Sequence, residues 1–255
     1  MSTAEIDSTR RFTDRVEYYA ACRPGYPDSV VEYLRRDAGV RPDAVVVDVG
    51  SGTGLSSDVF LRHGHTVHGV EPNPGMRQAA QRLLRHYPRF YSVTGTAEHT
   101  SLPDVCADVV VSASAFHWFD PVEARAEFRR ILKPSGMVVL MGNGRRKDGA
   151  PFMRAFDELY RQYERPTSAH ENRDERVRAF FASGSDVETV RLAYAEPLDF
   201  RVLSGRLLSY STIPLPGQAG HDEMMRDLRA LFDETAEDGR VTYEAQVTLR
   251  LGRLS

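Results

Sequence analysis

The chain has 255 residues, with 33 lysines and arginines against 36 aspartates and glutamates and a formal net charge of -3. That length suits one large α/β domain, or one such core with a small elaboration, and the charge argues against broad electrostatic capture of DNA, RNA or an acidic membrane. Cys22 and Cys106 form neither a disulfide framework nor a zinc box, `MSTAEIDSTRRF` holds no apolar signal segment, and no apolar run nears the roughly 18 residues of a membrane span, so a cytoplasmic setting is expected.

The first segment, `TRRFTDRVEYYAACRPGYP`, is mixed and aromatic, and Pro24-Gly25 and Pro27 break it before a helix predicted over Asp28 to Ala38. `AVVVDVG` reads as a strand buried on both faces, and `LSSDVFLRHG` as a helix after a glycine-rich turn. Strand `TVHGVE`, helix `PGMRQAAQRLLRHY`, strand `YSVTGT`, strand `ADVVVSAS`, helix `PVEARAEFRRIL` and strand `GMVVLM` follow. This alternation predicts a doubly wound α/β fold.

Past Gly142 the rhythm changes. `FMRAFDELYRQY` and `NRDERVRAFF` read as amphipathic helices, `VETVRLAYAEPLDF` contains a strand, `SGRLLSYSTIP` and `DEMMRDLRALFDETAE` are helical, and `VTYEAQVTLRLGRL` alternates as a final antiparallel edge or near-edge strand. The expected division is an N-terminal lid and first helix over 1–44, a ligand-binding core over 45–144, and covering helices with the closing strands of the same sheet over 145–255.

The sharpest motif is `VVVDVGSGTGLSSDVF`, which sets Asp48, Gly50, Gly52 and Gly54 at the end of the first strand. Glycine there lets backbone amides approach a ligand closely, at the strand edge where open α/β sheets bind theirs. Glu71 ends the second strand, near the spacing at which a carboxylate reaches both ribose hydroxyls. The nicotinamide fingerprint G-x-G-x-x-G is not met from either start, since its last position holds Leu55 or Ser57. Asp48 beside the turn would repel a pyrophosphate, yet it can order a loop that holds a cationic amino-acid tail.

With `GVEPNPGM`, `GTAEHTSLPD`, `ADVVVSASAFHWF` and `EFRRILKPSGMVVL` downstream, the stretch from about Phe12 to Met141 resembles class I S-adenosylmethionine-dependent methyltransferases, in the small-molecule branch of type 11 and trans-aconitate methyltransferase-like enzymes. The resemblance implies a Rossmann-like, seven-stranded, mostly parallel sheet with a helical substrate-covering insertion, and S-adenosyl-L-methionine as cofactor. It implies that Gly50, Gly52 and Gly54 pass beneath the methionine and ribose, and that Glu71 takes the ribose hydroxyls. Pro72, Asn73 and Met76 would lie near the adenine or ribose, with Thr96, Ala97 and Glu98 at the adenine edge. Ser114, Ala115 and Phe116 would lie beneath the methionine part, and Tyr19 and Arg23 of the lid near its carboxylate.

Methyl transfer from a sulfonium is an in-line displacement that orientation alone accelerates greatly and that needs no metal. `SAFHWFD` is the acceptor-side patch. His117 there is either a base for an oxygen or nitrogen nucleophile or an orienting residue, and Trp118 is either a face for the acceptor or packing. Tyr19 is a second catalytic candidate, and Tyr18, Tyr26, Tyr160, Tyr163 and Tyr210 add hydroxyls that equally suit packing. Arg145, Arg146 or Arg173 would bind a carboxylate acceptor or simply be solvated. A small-molecule substrate is expected, with no nucleic-acid or membrane partner and the choice between monomer and homodimer open. A cyclase or decarboxylase on the same fold, or a regulatory scaffold, are the rival readings.

Overall fold

A computed structural model describes Arg23 and residues 25–165, 173–181 and 187–254. In chain order the elements are α1 (Ser29–Arg36), β1 (Val45–Val49), α2 (Leu55–Arg62), β2 (Thr66–Val70), α3 (Pro74–Leu83), β3 (Phe90–Val93), β4 (Ala107–Ala113), α4 (Pro121–Ile131) and β5 (Leu132–Arg145). Then come α5 (Pro151–Tyr163), α6 (Arg173–Phe181), β6 (Glu188–Leu198), α7 (Phe200–Leu208), α8 (His221–Thr235) and β7 (Val241–Gly252). The seven strands form one sheet in the order β3-β2-β1-β4-β5-β7-β6, mixed because β7 runs antiparallel. This is the Rossmann-like sheet that the alternation of strand and helix predicts, with β7 one place from the edge.

Strands β3, β2, β1, β4 and β5 run parallel. Asp48 pairs in register with Gly69 on one side and Val111 on the other, so Gly50, Glu71 and Ser114 all emerge just beyond the carboxyl ends of their strands. The order reverses between β1 and β4, and at such a switch point connections leave toward opposite faces and open a crevice. β1 is buried along almost its whole length, which is why its sequence reads as continuous apolar residues.

Helix starts follow local chemistry. Asn73 caps α3 by accepting from the Met76 amide at 3.1 Å, and Asp120 caps α4 by accepting from Val122 and Glu123. Pro74 and Pro121 stand in the first turns, where no backbone donor is missed.

The chain folds into two compact units. One comprises the described parts of Pro24–Asn143, Ala169–Leu192 and Val247–Ser255. Its core includes Val47, Val49, Val70, Val110, Phe116, Phe119, Phe128, Ile131, Phe180 and Phe181, with Cys106 packed partly buried at its margin. The other comprises Arg23 with the described parts of Gly144–Ser168 and Ala193–Gln246. There α5, α7 and α8 bury Met153, Phe156, Leu203, Leu207, Met224 and Leu228 around Tyr243 and Ala245 of β7. Among the described residues, no helix is long and apolar enough to cross a membrane.

Several element boundaries differ from the sequence reading. β5 begins at Leu132 instead of Gly136, because α4 passes directly into extended backbone there, at φ -71 and ψ 139. α7 begins at Phe200 instead of Ser204, because the Asp199 carboxylate accepts from the Val202 amide at 2.8 Å and caps it. β3 ends at Val93. Just beyond, the chain turns so closely that a Cβ at Gly95 would lie 2.7 Å from the Thr100 carbonyl, and glycine fits there.

Candidate functional site

The turn after β1 is left-handed at all three motif glycines, with φ of 71, 56 and 88 at Gly50, Gly52 and Gly54. A Cβ on Gly50 would lie 2.5 Å from Ala115 and one on Gly54 2.6 Å from Leu84, whereas one on Gly52 meets nothing within 4 Å. Gly50 and Gly54 are therefore fixed by packing against the protein, and Gly52 lies where the turn stays open.

Asp48 is fully buried, and its Oδ2 accepts from the Ser56 and Ser57 hydroxyls at 2.6 and 2.7 Å. It thus ties β1 to the first turn of α2. Burial pushes its pKa up to about 6, the two serines pull it back, and the nearby Glu71 charge adds to the rise.

Glu71, 9% exposed, is held from two sides. Its Oε2 accepts from the Gly52 amide at 3.0 Å and its Oε1 from the Asn73 amide at 2.9 Å. Each oxygen keeps a lone pair for a further donor. Arg77 donates to the Glu71 and Pro72 carbonyls at 2.8 and 2.7 Å and fixes that loop. Burial raises the Glu71 pKa, offset by the two amides and by Arg77. Met76 is buried on α3, while Pro72 is exposed.

In the loop after β3, Thr96 and His99 close a turn through Thr96 N–H to the His99 carbonyl at 2.9 Å. Ala97 is buried, and the Glu98 Oε1 accepts from the Asp120 amide at 2.9 Å. Next to it, Glu127 accepts from both the amide and hydroxyl of Thr100, and Arg130 holds its carboxyl down to about 2.

Beyond β4, Ser114 takes φ 57, unusual for a residue with a Cβ. Backbone in such regions persists where the surroundings over-determine it, and it clusters at functional sites. Ala115 packs beneath Gly50. Phe116 is buried edge-on against Phe119 and Phe180. A single helical turn, Phe116–Trp118, presents half-buried His117 beside Trp118, whose rings stand 4.6 Å apart. Trp118 is 37% exposed.

The remaining predicted residues have other surroundings. Tyr18 and Tyr19 lie outside the described residues. Arg23 donates from Nε to the Ser209 hydroxyl at 3.0 Å and stacks 4.7 Å from the Tyr210 ring. Arg145 pairs with buried Asp157 at 2.6 Å and lies 3.7 Å over the Tyr160 ring. Tyr160, Tyr163 and Tyr210 hydroxyls bond Thr212, Asp227 and Tyr243. The sequence reading missed Ser56 and Ser57 beneath Asp48 and Arg77 behind Glu71, while Glu98, expected at the adenine edge, also braces the Asp120 amide. The two serines follow the glycine motif directly, so their hydroxyls were the signal available.

The stretch 47–140 matches the family described as a methyltransferase domain. Residues 47–140 belong to that family. It is the type 11 group of class I S-adenosylmethionine-dependent methyltransferases, and membership implies S-adenosyl-L-methionine as cofactor. A Mycobacterium tuberculosis protein named as an uncharacterized methyltransferase is 34% identical over 145 residues, 57% of this chain and 57% of its own. A methyltransferase-like protein of Schizosaccharomyces pombe is 28% identical over 161 residues, 63% of this chain and 61% of its own. The matched stretch thus spans somewhat more than half the length of these relatives. A solved structure from Anaeromyxobacter dehalogenans, provisionally described as a type II methyltransferase, superposes with a TM-score of 0.74 at 25% identity, over 92% of this chain and 99% of its own.

The methyltransferase domain's residues fit that cofactor. The open side at Gly52 leaves room for close approach, and Glu71 keeps acceptor capacity. Asp48 Oδ1, Thr53 Oγ1 and Ser112 Oγ are buried without a partner among the described residues, the condition that marks a site completed by water or ligand. Two buried carboxylates on adjoining strand ends favour a cation over a pyrophosphate.

Proposed function

We propose that the protein transfers the methyl group of S-adenosyl-L-methionine to an oxygen, nitrogen or carbon nucleophile of a small molecule by in-line displacement. Glu71 carries this reading. Its carboxylate is preordered by the Gly52 and Asn73 amides, with lone pairs left for the two ribose hydroxyls. Gly50, Gly52 and Gly54 then pass beneath the nucleoside and methionine, Asn73 and Met76 border the adenine or ribose, and Ala97 borders the adenine edge.

When bound, the cofactor supplies an electrophilic methyl carbon whose sulfur leaves with the bonding electrons. The chain's own part is alignment, which in well-oriented model reactions is worth roughly 7 to 11 kcal/mol. His117 accepts or orients the acceptor's proton at its imidazole nitrogen, and the exposed Trp118 offers an aromatic face to a flat acceptor. Metal-ligand geometry plays no part in this reading.

The test is formation of S-adenosylhomocysteine by the purified protein with small carboxylates, amines, phenols and activated carbon acids as acceptors. One class should yield methylated product in step with S-adenosylhomocysteine, and His117→Asn should cut that turnover roughly 100-fold or more while cofactor affinity holds. Near-normal turnover of the variant would remove His117 from the role. Cofactor binding with no methylated product from any class would overturn methyl transfer to a small molecule.

A further inference from the structure

The turn carrying His117 and Trp118 is gripped at its exit from two distant parts of the chain. On one side the Glu98 carboxylate accepts from the Asp120 amide at 2.9 Å. On the other, the Arg176 Nη2 of α6 donates to the Phe119 carbonyl at 2.6 Å, across 57 residues of sequence. One helical turn on from Arg176, Phe180 is almost fully buried, 5.0 Å edge-on from Phe116 and 5.7 Å from Phe128. The two residues stand at i and i+4, on one face of α6. That face therefore holds both ends of the turn, Phe116 by packing and Phe119 by a charge-assisted hydrogen bond.

Arg176 Nε is also buried and has no acceptor among the described residues. A buried donor left unmade is costly and uncommon. Keeping an arginine there is hard to explain by packing alone, since an apolar residue would seal α6 against α4 without that cost. A guanidinium aimed at one carbonyl makes sense if the position of that carbonyl matters.

We propose that Arg176 is a positioning residue for methyl transfer. Through the Phe119 carbonyl it fixes the His117–Trp118 turn, so that α6, from the acceptor-side half of the chain, sets where the imidazole stands. The inference rests on the reading of that turn as the acceptor side of the site. It assigns Arg176 no contact with acceptor or cofactor.

The chain's single tryptophan, Trp118, is a built-in probe of the turn. Acrylamide quenching and emission of Trp118 are measured in wild type, Arg176→Ala, Arg176→Lys and Phe180→Leu, with far-UV circular dichroism to confirm folding and calorimetric titration with S-adenosylhomocysteine. In Arg176→Ala the quenching constant should rise about twofold, as expected for a clamped side chain released to fast local motion, and the emission should shift to the red. Arg176→Lys, which retains a donor, should restore part of the effect, and S-adenosylhomocysteine affinity should stay within about threefold of wild type, under 1 kcal/mol. Unchanged quenching in Arg176→Ala would overturn the proposal, and a change confined to Phe180→Leu would assign the clamp to packing alone. An equal loss of S-adenosylhomocysteine affinity and turn order, which marks a general fold defect, would also overturn it. If Trp118 is released while His117→Asn leaves methyl transfer intact, the clamp stands and the catalytic reading of the turn fails.

Discussion

Asp48 shows how one residue can be legible in type while its partners and burial are not. The sequence places it correctly beside the glycine turn, with the expectation that it orders the loop for a cationic tail. In the fold it is wholly enclosed and spends one oxygen on Ser56 and Ser57. Burial is a three-dimensional property, and an aspartate inside an apolar strand run was the available hint. Its pKa of about 6, against an ordinary 3.8, means that the folded state binds this proton more tightly than the unfolded chain. Stability contributed by this group is therefore complete below about pH 4 and is lost as pH rises through about 6. At neutral pH the ionised side chain costs about 3 kcal/mol. Asn at this position keeps an oxygen for both serines and removes the charge. In urea unfolding of ligand-free protein, the stability of Asp48→Asn relative to wild type should climb between pH 4 and 7. A difference that stays constant over that range would contradict the assignment.

At the scale of elements, the β1–turn–α2 unit was readable as strand, turn and helix because its determinants are consecutive. Buried strand, left-handed glycines and the start of α2 lie within 18 residues of one another. Its glycines are nonetheless not equivalent. Gly54→Ala combines a left-handed φ with a contact at 2.6 Å from Leu84, so about 2 to 5 kcal/mol of stability should be lost. Gly52→Ala meets no atom within 4 Å and should lose only about 1 to 2 kcal/mol from its backbone, while cofactor affinity falls. Denaturation midpoints, paired with cofactor titration of each variant, check that ordering, and equal destabilisation by the two would refute it. Less legible were β5 and α7. Pro134, Ser135 and Gly136 disguise the start of β5 as a loop, and Asp199 falls at the end of a stretch that reads as strand, which hides its role as a cap.

Over the whole molecule, what the sequence disclosed separates from what it withheld by the range of the interactions. The cofactor end is assembled from short motifs at the carboxyl ends of β1, β2 and β4, so fold, family and cofactor were accessible from residue order. The order of the His117–Trp118 turn, the proposed acceptor side, depends on pairs such as Glu98 with Asp120 and Arg176 with Phe119, separated by 22 and 57 residues. No periodicity or spacing rule predicts such pairs. The later helices, rich in tyrosine and arginine, turned out to spend those side chains on one another, as in Arg145 with Asp157 and Tyr160.

Methyl transfer as proposed requires a sulfonium nucleoside held at Glu71. Isothermal titration of S-adenosyl-L-methionine into wild type and Glu71→Ala tests it directly. Wild type should bind at a single site, and the variant should bind about 10- to 100-fold more weakly, the loss of hydrogen bonds to a charged acceptor worth roughly 1.5 to 3 kcal/mol. Equal affinity for the two proteins, or no binding by wild type, would contradict it.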